Sequence, residues 1–111
     1  MLTRASGATL AYITQTFVYE PDYIATSRAE GERRRPGMQV SPFEGHVLQW
    51  LVGISGAKTI LEIGTFMATS TLWMAGGLPE EGRITSIEFD ADHAAAARTH
   101  VAASPHKNRV D

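Results

Sequence analysis

The chain has 111 residues, 43% of them hydrophobic and 20% charged, a globular composition sufficient for one hydrophobic core. A formal net charge of −2 gives no general attraction to nucleic acid or an anionic membrane, and the absence of cysteine excludes disulfides, thiolate metal sites and cysteine nucleophiles together. No apolar run approaches the ~18 residues that span a bilayer, and the amino terminus lacks a hydrophobic stretch ahead of a cleavage site, so a soluble cytoplasmic protein is expected.

In chain order, Leu10, Ile13 and Phe17 stand at helical spacing and predict a helix over about Ala8 to Val18. Pro21 then opens a second, short helix carrying Tyr23 and Ile24. The stretch "RAEGERRRPGMQVSP" lacks hydrophobic periodicity and is expected to be a loop. Ser41, Pro42 and Glu44 form a capping box, which starts a helix whose apolar face is Phe43, Val47, Leu48, Leu51, Val52 and Ile54 and which ends at Gly56. "TILEI" has the composition of a strand covered on both faces, Gly64 turns the chain, and Thr65 to Ala75 is the next helix. After the loop "GGLPEEG" come a second strand, "RITSIEF", and an alanine-rich helix capped by Asp90 and stopped by Pro105. "NRVD" begins a third strand. Helix, strand, helix, strand, helix in this order implies a right-handed βαβ unit of an α/β parallel sheet.

The turn after the first strand is the candidate site. A dinucleotide fingerprint starting at Gly64 requires glycine again at positions 66 and 69, where the chain has Phe66 and Thr69, so NAD is only a minor alternative. No Gly-Lys-Ser/Thr follows, so the turn is not a Walker A loop. What remains is Glu62 at the strand end, one glycine, a helix amino terminus, and Glu88 at the end of the next strand. In an open α/β sheet these lie together at the carboxyl ends of the strands. Glu88 can accept both hydroxyls of a ribose, the helix amides suit a carboxylate, and Glu62 favours a nearby cationic group. S-adenosylmethionine carries all of these groups.

The segment from Met38 to about Arg98 resembles the first half of a class I S-adenosylmethionine-dependent methyltransferase, of the small O-methyltransferase family that includes the caffeoyl-CoA and catechol enzymes. "MQVSP" with the following "EG", "LEIGTF" with its later serine, "LPEEGRI" and the acid after the second strand occur in the family's order. The resemblance implies a partial Rossmann-like methyltransferase fold over residues 38–111, preceded by amino-terminal helices and a loop over residues 1–37. It implies that Gln39 and Val40 touch the methionine part of the cofactor, that Glu62 and Gly64 line the binding turn, and that Ser70 helps hold the methionine moiety. Glu88 would bind the ribose, with Phe89 beside the adenine. Met67, Ala68 and Thr69 depart from the family's Thr-Gly-Tyr. If that glycine has positive φ, Ala68 is strained, and its methyl is expected where backbone and ligand come close.

The remaining candidates have plainer explanations. Arg33, Arg34 and Arg35 could hold a phosphate, such as that of a coenzyme A tail, but a solvated charge run is the expected role. His93 and His100 are too far apart for the usual metal pair and are expected at the surface; His46 and His106 add nothing to them. Trp50 and Trp73 are expected in the core or an interface. The resemblance places the family's ligands for a divalent metal such as magnesium, its catalytic lysine region and most of the acceptor pocket beyond Asp111. The expected function is thus methyl transfer to a hydroxyl of a small acceptor, catechol-like or acyl-CoA, with this chain as the cofactor-binding half and inactive alone. The alternative is a non-catalytic ligand- or partner-binding fragment. A homodimer is one assembly open to such a chain.

Overall fold

The computed structural model describes residues 5–111; residues 1–4 of the expected amino-terminal unit lie outside the described residues. The elements are α1 (Gly7–Phe17), α2 (Asp22–Arg34), α3 (Pro42–Ser55), β1 (Thr59–Ile63), α4 (Thr69–Gly77), β2 (Arg83–Ile87) and α5 (Ala91–Ala102). β1 and β2 pair in parallel, with Thr59 opposite Arg83 and Ile63 opposite Ile87. On the far side of β2 the expected third strand has begun: Val110 bridges Ile84, and the Ser86 amide donates to the Asp111 carbonyl at 2.7 Å.

The helices start where their caps dictate. Ser41 and Glu44 complete the capping box of α3, and Gly56 ends that helix in the left-handed conformation at φ +68°. Asp90 accepts from the amides of Asp92 and His93 to start α5. α2, by contrast, runs through much of the stretch expected to be a loop. Its buried residues are Ile24, Ser27 and Gly31, helically spaced but mostly not hydrophobic, so apolar periodicity does not reveal them. Ion pairs of Arg28 with Glu20 at 2.7 Å and of Arg34 with Glu30 at 2.5 Å support it, which gives part of the basic run a structural role.

Among the described residues, two clusters form the core. Ile24 of α2 packs with Ala68, Leu72 and Trp73, and with Ala97 of α5; Ala75, Leu78 and Ile84 form the second cluster, joined by Val52 and Ile60. α3 meets α4 across glycines: a Cβ at Gly45 would collide with the Trp73 ring, and one at Gly77 with the Gln49 carbonyl. Trp50, Leu51 and Ile54 point outward, so of the wide buried face expected for α3 Leu51 and Ile54 are exposed, while Phe43, Val47, Leu48 and Val52 are half-buried. The sheet differs from expectation in the same way. Ile60, Glu62, Ile84 and Ser86 face the helices, whereas Leu61 and Ile63 on the other face are 66% and 74% exposed.

The histidines also depart from a surface role. His100 is buried and its Nε2 lies 2.7 Å from Glu30, joining α5 to α2. His106 is buried with Nδ1 accepting from Arg109 at 2.8 Å, so its Nε2–H donates to Tyr23 at 3.1 Å. Burial, followed by the charge of Arg109, lowers the His106 pKa.

The bare sheet face yields the first prediction. Residues 1–111 alone are expected to bind a dye for exposed apolar surface and to show no sharp unfolding transition as a monomer. Calorimetry with sedimentation checks this, and a cooperative monomeric transition without dye binding contradicts it.

Candidate functional site

β1 ends at Ile63, and the chain reverses through Gly64 at φ +91°, with the Gly64 amide still donating to the Ile87 carbonyl at 2.8 Å. Phe66 at φ +51° and Ala68 at φ +66° follow, so left-handed residues alternate through the turn and α4 begins only at Thr69, later than expected. For a residue with a side chain each such conformation costs about 1–2 kcal/mol, which the surroundings must offset. Ala68 does need the positive φ. It is fully buried with Ile24, Leu72 and Trp73, so its methyl packs in the core; the expected approach to the ligand is corrected.

Ala68 offers no side-chain acceptor to α4, whose amino terminus is left uncapped. That end opens on a cavity of about 110 Å³ lined by Gln39, Val40, Gly64, Phe66, Thr69 and Ser70. Four residues expected at the site, Gln39, Val40, Gly64 and Ser70, are therefore brought together. The Gln39 amide is itself held by the protein, donating to the Arg28 carbonyl and accepting from Thr69 Oγ1 at 2.9 Å. Ser27, buried on α2, approaches both Thr69 Oγ1 and the Met67 carbonyl at 2.7 Å.

Glu62 sits behind this cavity. Its carboxylate accepts from Ser70 and Thr71 at 2.5 Å and from Ser86 at 2.6 Å, tying β1 to α4 and β2. Because the Ser86 proton points to Glu62, Thr65 Oγ1 donates to Ser86 at 2.6 Å. Ser86 lies directly opposite Glu62 in the strand register, a placement that the inward-facing alternation of β2 could have signalled.

Glu88 reaches the turn from the other side. Its Oε2 accepts from the Thr65 amide at 3.1 Å and the Phe66 amide at 2.7 Å, while Oε1 accepts from the Asp90 amide at 3.0 Å. The Asp90 amide is the main cause of a lowered carboxyl pKa; burial opposes it, and the Phe66 and Thr65 amides and His93 add to it. Glu88 and Thr65 line a larger cavity of about 600 Å³ between β2, α5 and the carboxyl-terminal residues, and Thr65 borders both cavities. Phe89 is fully exposed and lines neither. Sequence reasoning missed His93, whose ring meets the Phe66 ring edge-on at 4.9 Å. Its place one turn into the helix that follows Glu88 was the available signal.

Among the described residues, no group of three or more His, Asp or Glu side chains could hold a metal ion. No described helix is long and apolar enough to cross a membrane.

The sequence profile of an O-methyltransferase family matches residues 14–111. The chain is 41% identical over 91 residues to a catechol O-methyltransferase of Niastella koreensis, covering 81% of this chain and 41% of that protein. It is 31% identical over 102 residues to a catechol O-methyltransferase of Mycobacterium tuberculosis, covering 91% and 46%. Among solved structures, the O-methyltransferase of Bacillus cereus in complex with SAH superposes with a TM-score of 0.86 at 33% identity, covering 94% of this chain and 48% of that one. TomG of Streptomyces achromogenes, in complex with SAM, gives 0.84 at 31% identity, covering 91% and 46%. The chain thus spans about half the length of the relatives it matches.

The Glu88 geometry predicts a pH dependence. With its folded pKa below the unfolded value of about 4.3, Glu88 contributes stability that is present above that value and is lost as pH falls through the folded pKa. In the intact protein, Glu88→Gln should therefore be less stable than the parent near pH 7, with the gap narrowing as pH falls through the folded pKa. Denaturant unfolding at several pH values checks this, and a constant gap contradicts it.

Proposed function

The chain belongs to the O-methyltransferase family, and on that premise we propose that residues 38–111 bind S-adenosylmethionine for methyl transfer to a hydroxyl of a small acceptor, with residues 5–37 as a helical cover. The observation that carries the proposal is the uncapped amino terminus of α4 opening on the Gly64 cavity, with Glu88 at the same end of the neighbouring strand. In this arrangement the first amides of α4, with the Ser70 hydroxyl, suit the carboxylate of the methionine moiety. Gln39 and Val40 line the same cavity. Three backbone amides leave Glu88 about one of its four acceptor sites for a ribose hydroxyl, and Phe89, exposed beside it, is available to the adenine. Glu62 acts from behind by fixing Ser70. A pyrophosphate is disfavoured, since Phe66 and Thr69 stand where close approach calls for glycine.

The cofactor supplies a methyl group on a sulfonium, and the chain's residues hold and orient it for in-line attack by the acceptor oxygen. Residues 5–111 gather no cluster of three or more His, Asp or Glu side chains suited to a divalent ion. In this proposal the ion and acceptor pocket belong to the complete enzyme, in a soluble cytoplasmic setting. Association into a homodimer is part of the same proposal, with the uncharged α1 and its lack of buried residues as support. The bare sheet face favours a second reading, a non-catalytic chain that binds a partner.

Calorimetric titration of the intact protein with S-adenosylhomocysteine and with NAD separates these outcomes. Preferential binding of S-adenosylhomocysteine is expected; preferential NAD binding overturns the cofactor assignment, and binding of neither leaves the second reading standing. Glu88→Ala should weaken S-adenosylhomocysteine by about 1–3 kcal/mol, the range for an unsatisfied buried hydrogen-bonding group. Unchanged affinity in the folded variant removes Glu88 from the site.

A further inference from the structure

We infer that His93 is a positioning residue for the binding turn, acting through its ring on Phe66. Phe66 occupies the left-handed region at φ +51°, a conformation that a residue with a side chain keeps only when its surroundings fix it. Two contacts fix it from the second βα unit. Its amide donates to Glu88 at 2.7 Å, and its ring meets the His93 ring at 4.9 Å with an interplanar angle of 88°, a favourable edge-to-face geometry. His93 is itself firmly anchored. Its own amide donates to Asp90 Oδ1 at 3.0 Å within the capped first turn of α5, and its side chain is only 17% exposed.

The ring contact, and not a hydrogen bond to the neighbouring carboxylates, carries the effect. His93 Nδ1 is 4.0 Å from both Glu88 Oε1 and Asp90 Oδ1, beyond hydrogen-bond length. Both carboxylates already accept backbone amides. His93 therefore holds the ring of Phe66 while Glu88 holds its backbone, and the wall of the Gly64 cavity is set before a ligand arrives.

The test uses His93→Ala and His93→Phe in the intact protein, with hydrogen exchange of the Thr65 and Phe66 amides and calorimetric affinity for S-adenosylhomocysteine. His93→Ala should speed exchange at those amides, relative to Leu72 in the core, and weaken the ligand, each by about three- to tenfold. His93→Phe should keep both within about twofold of the parent, since it restores the ring without the charge. Phe66→Leu removes the contact from the other side, and adding His93→Ala to it should change neither quantity further. Parental exchange in His93→Ala, equal losses in the alanine and phenylalanine variants, or additive losses in the double variant would each overturn the assignment. The affinity measurement rests on the proposed cofactor. If the parent fails to bind S-adenosylhomocysteine, that proposal fails, while exchange at Thr65 and Phe66 still decides the role of His93.

Discussion

The site depends on one carboxylate spanning a crossover. Glu88 stands just after β2, yet it receives the Thr65 and Phe66 amides of the turn that follows β1 and the Asp90 amide that leads into α5. Those groups belong to successive βα units, and a charged acceptor with two oxygens can satisfy all three donors. Parallel pairing brings Gly64 and Glu88 to the same end of the sheet, and the carboxylate then fixes the path between them. Convergent amides at a left-handed turn form an anion-binding nest, filled here by the protein's own acid.

Glu62 plays the corresponding part beneath the turn. Three hydroxyls, from Ser70, Thr71 and Ser86, converge on it, and Thr65 extends the chain of donors. An acid on the helix-covered face of a strand would be costly without partners, and these hydroxyls supply them. The strain of Ala68 is offset by core packing of its methyl, and that of Phe66 by Glu88 and the neighbouring ring. The uncapped end of α4 is left for a ligand. Rigid support on the core side and unsatisfied donors on the cavity side are the physical basis of the proposed binding site.

Much of this was legible in the sequence. The α3 capping box, the β-branched strands and the turn at Gly64 are local signals, and local signals identified their elements. The departure at Ala68 correctly pointed to a positive φ, although the direction of its methyl depends on how α2, α4 and α5 pack. α2 was harder to recognise because it buries Ser27 and Gly31, and hydrophobic periodicity is blind to small and polar residues on a packed face. The exposed stripe of α3 has the same origin, since Gly45 and Gly77 bring the helices together along a side that carries few large apolar residues. His93 looked like a surface residue until the fold placed Phe66 against it. Spatial neighbours drawn from different βα units leave no short-range pattern.

Hydrogen exchange of the Thr65 and Phe66 amides in the intact parent protein, with and without S-adenosylhomocysteine, tests the central claim that Glu88 builds the turn before the ligand binds. The account predicts slow exchange at both amides in the free protein and little further slowing on binding. Fast exchange in the free protein, slowed only when the ligand is added, would mean that the ligand orders the turn and would contradict the account.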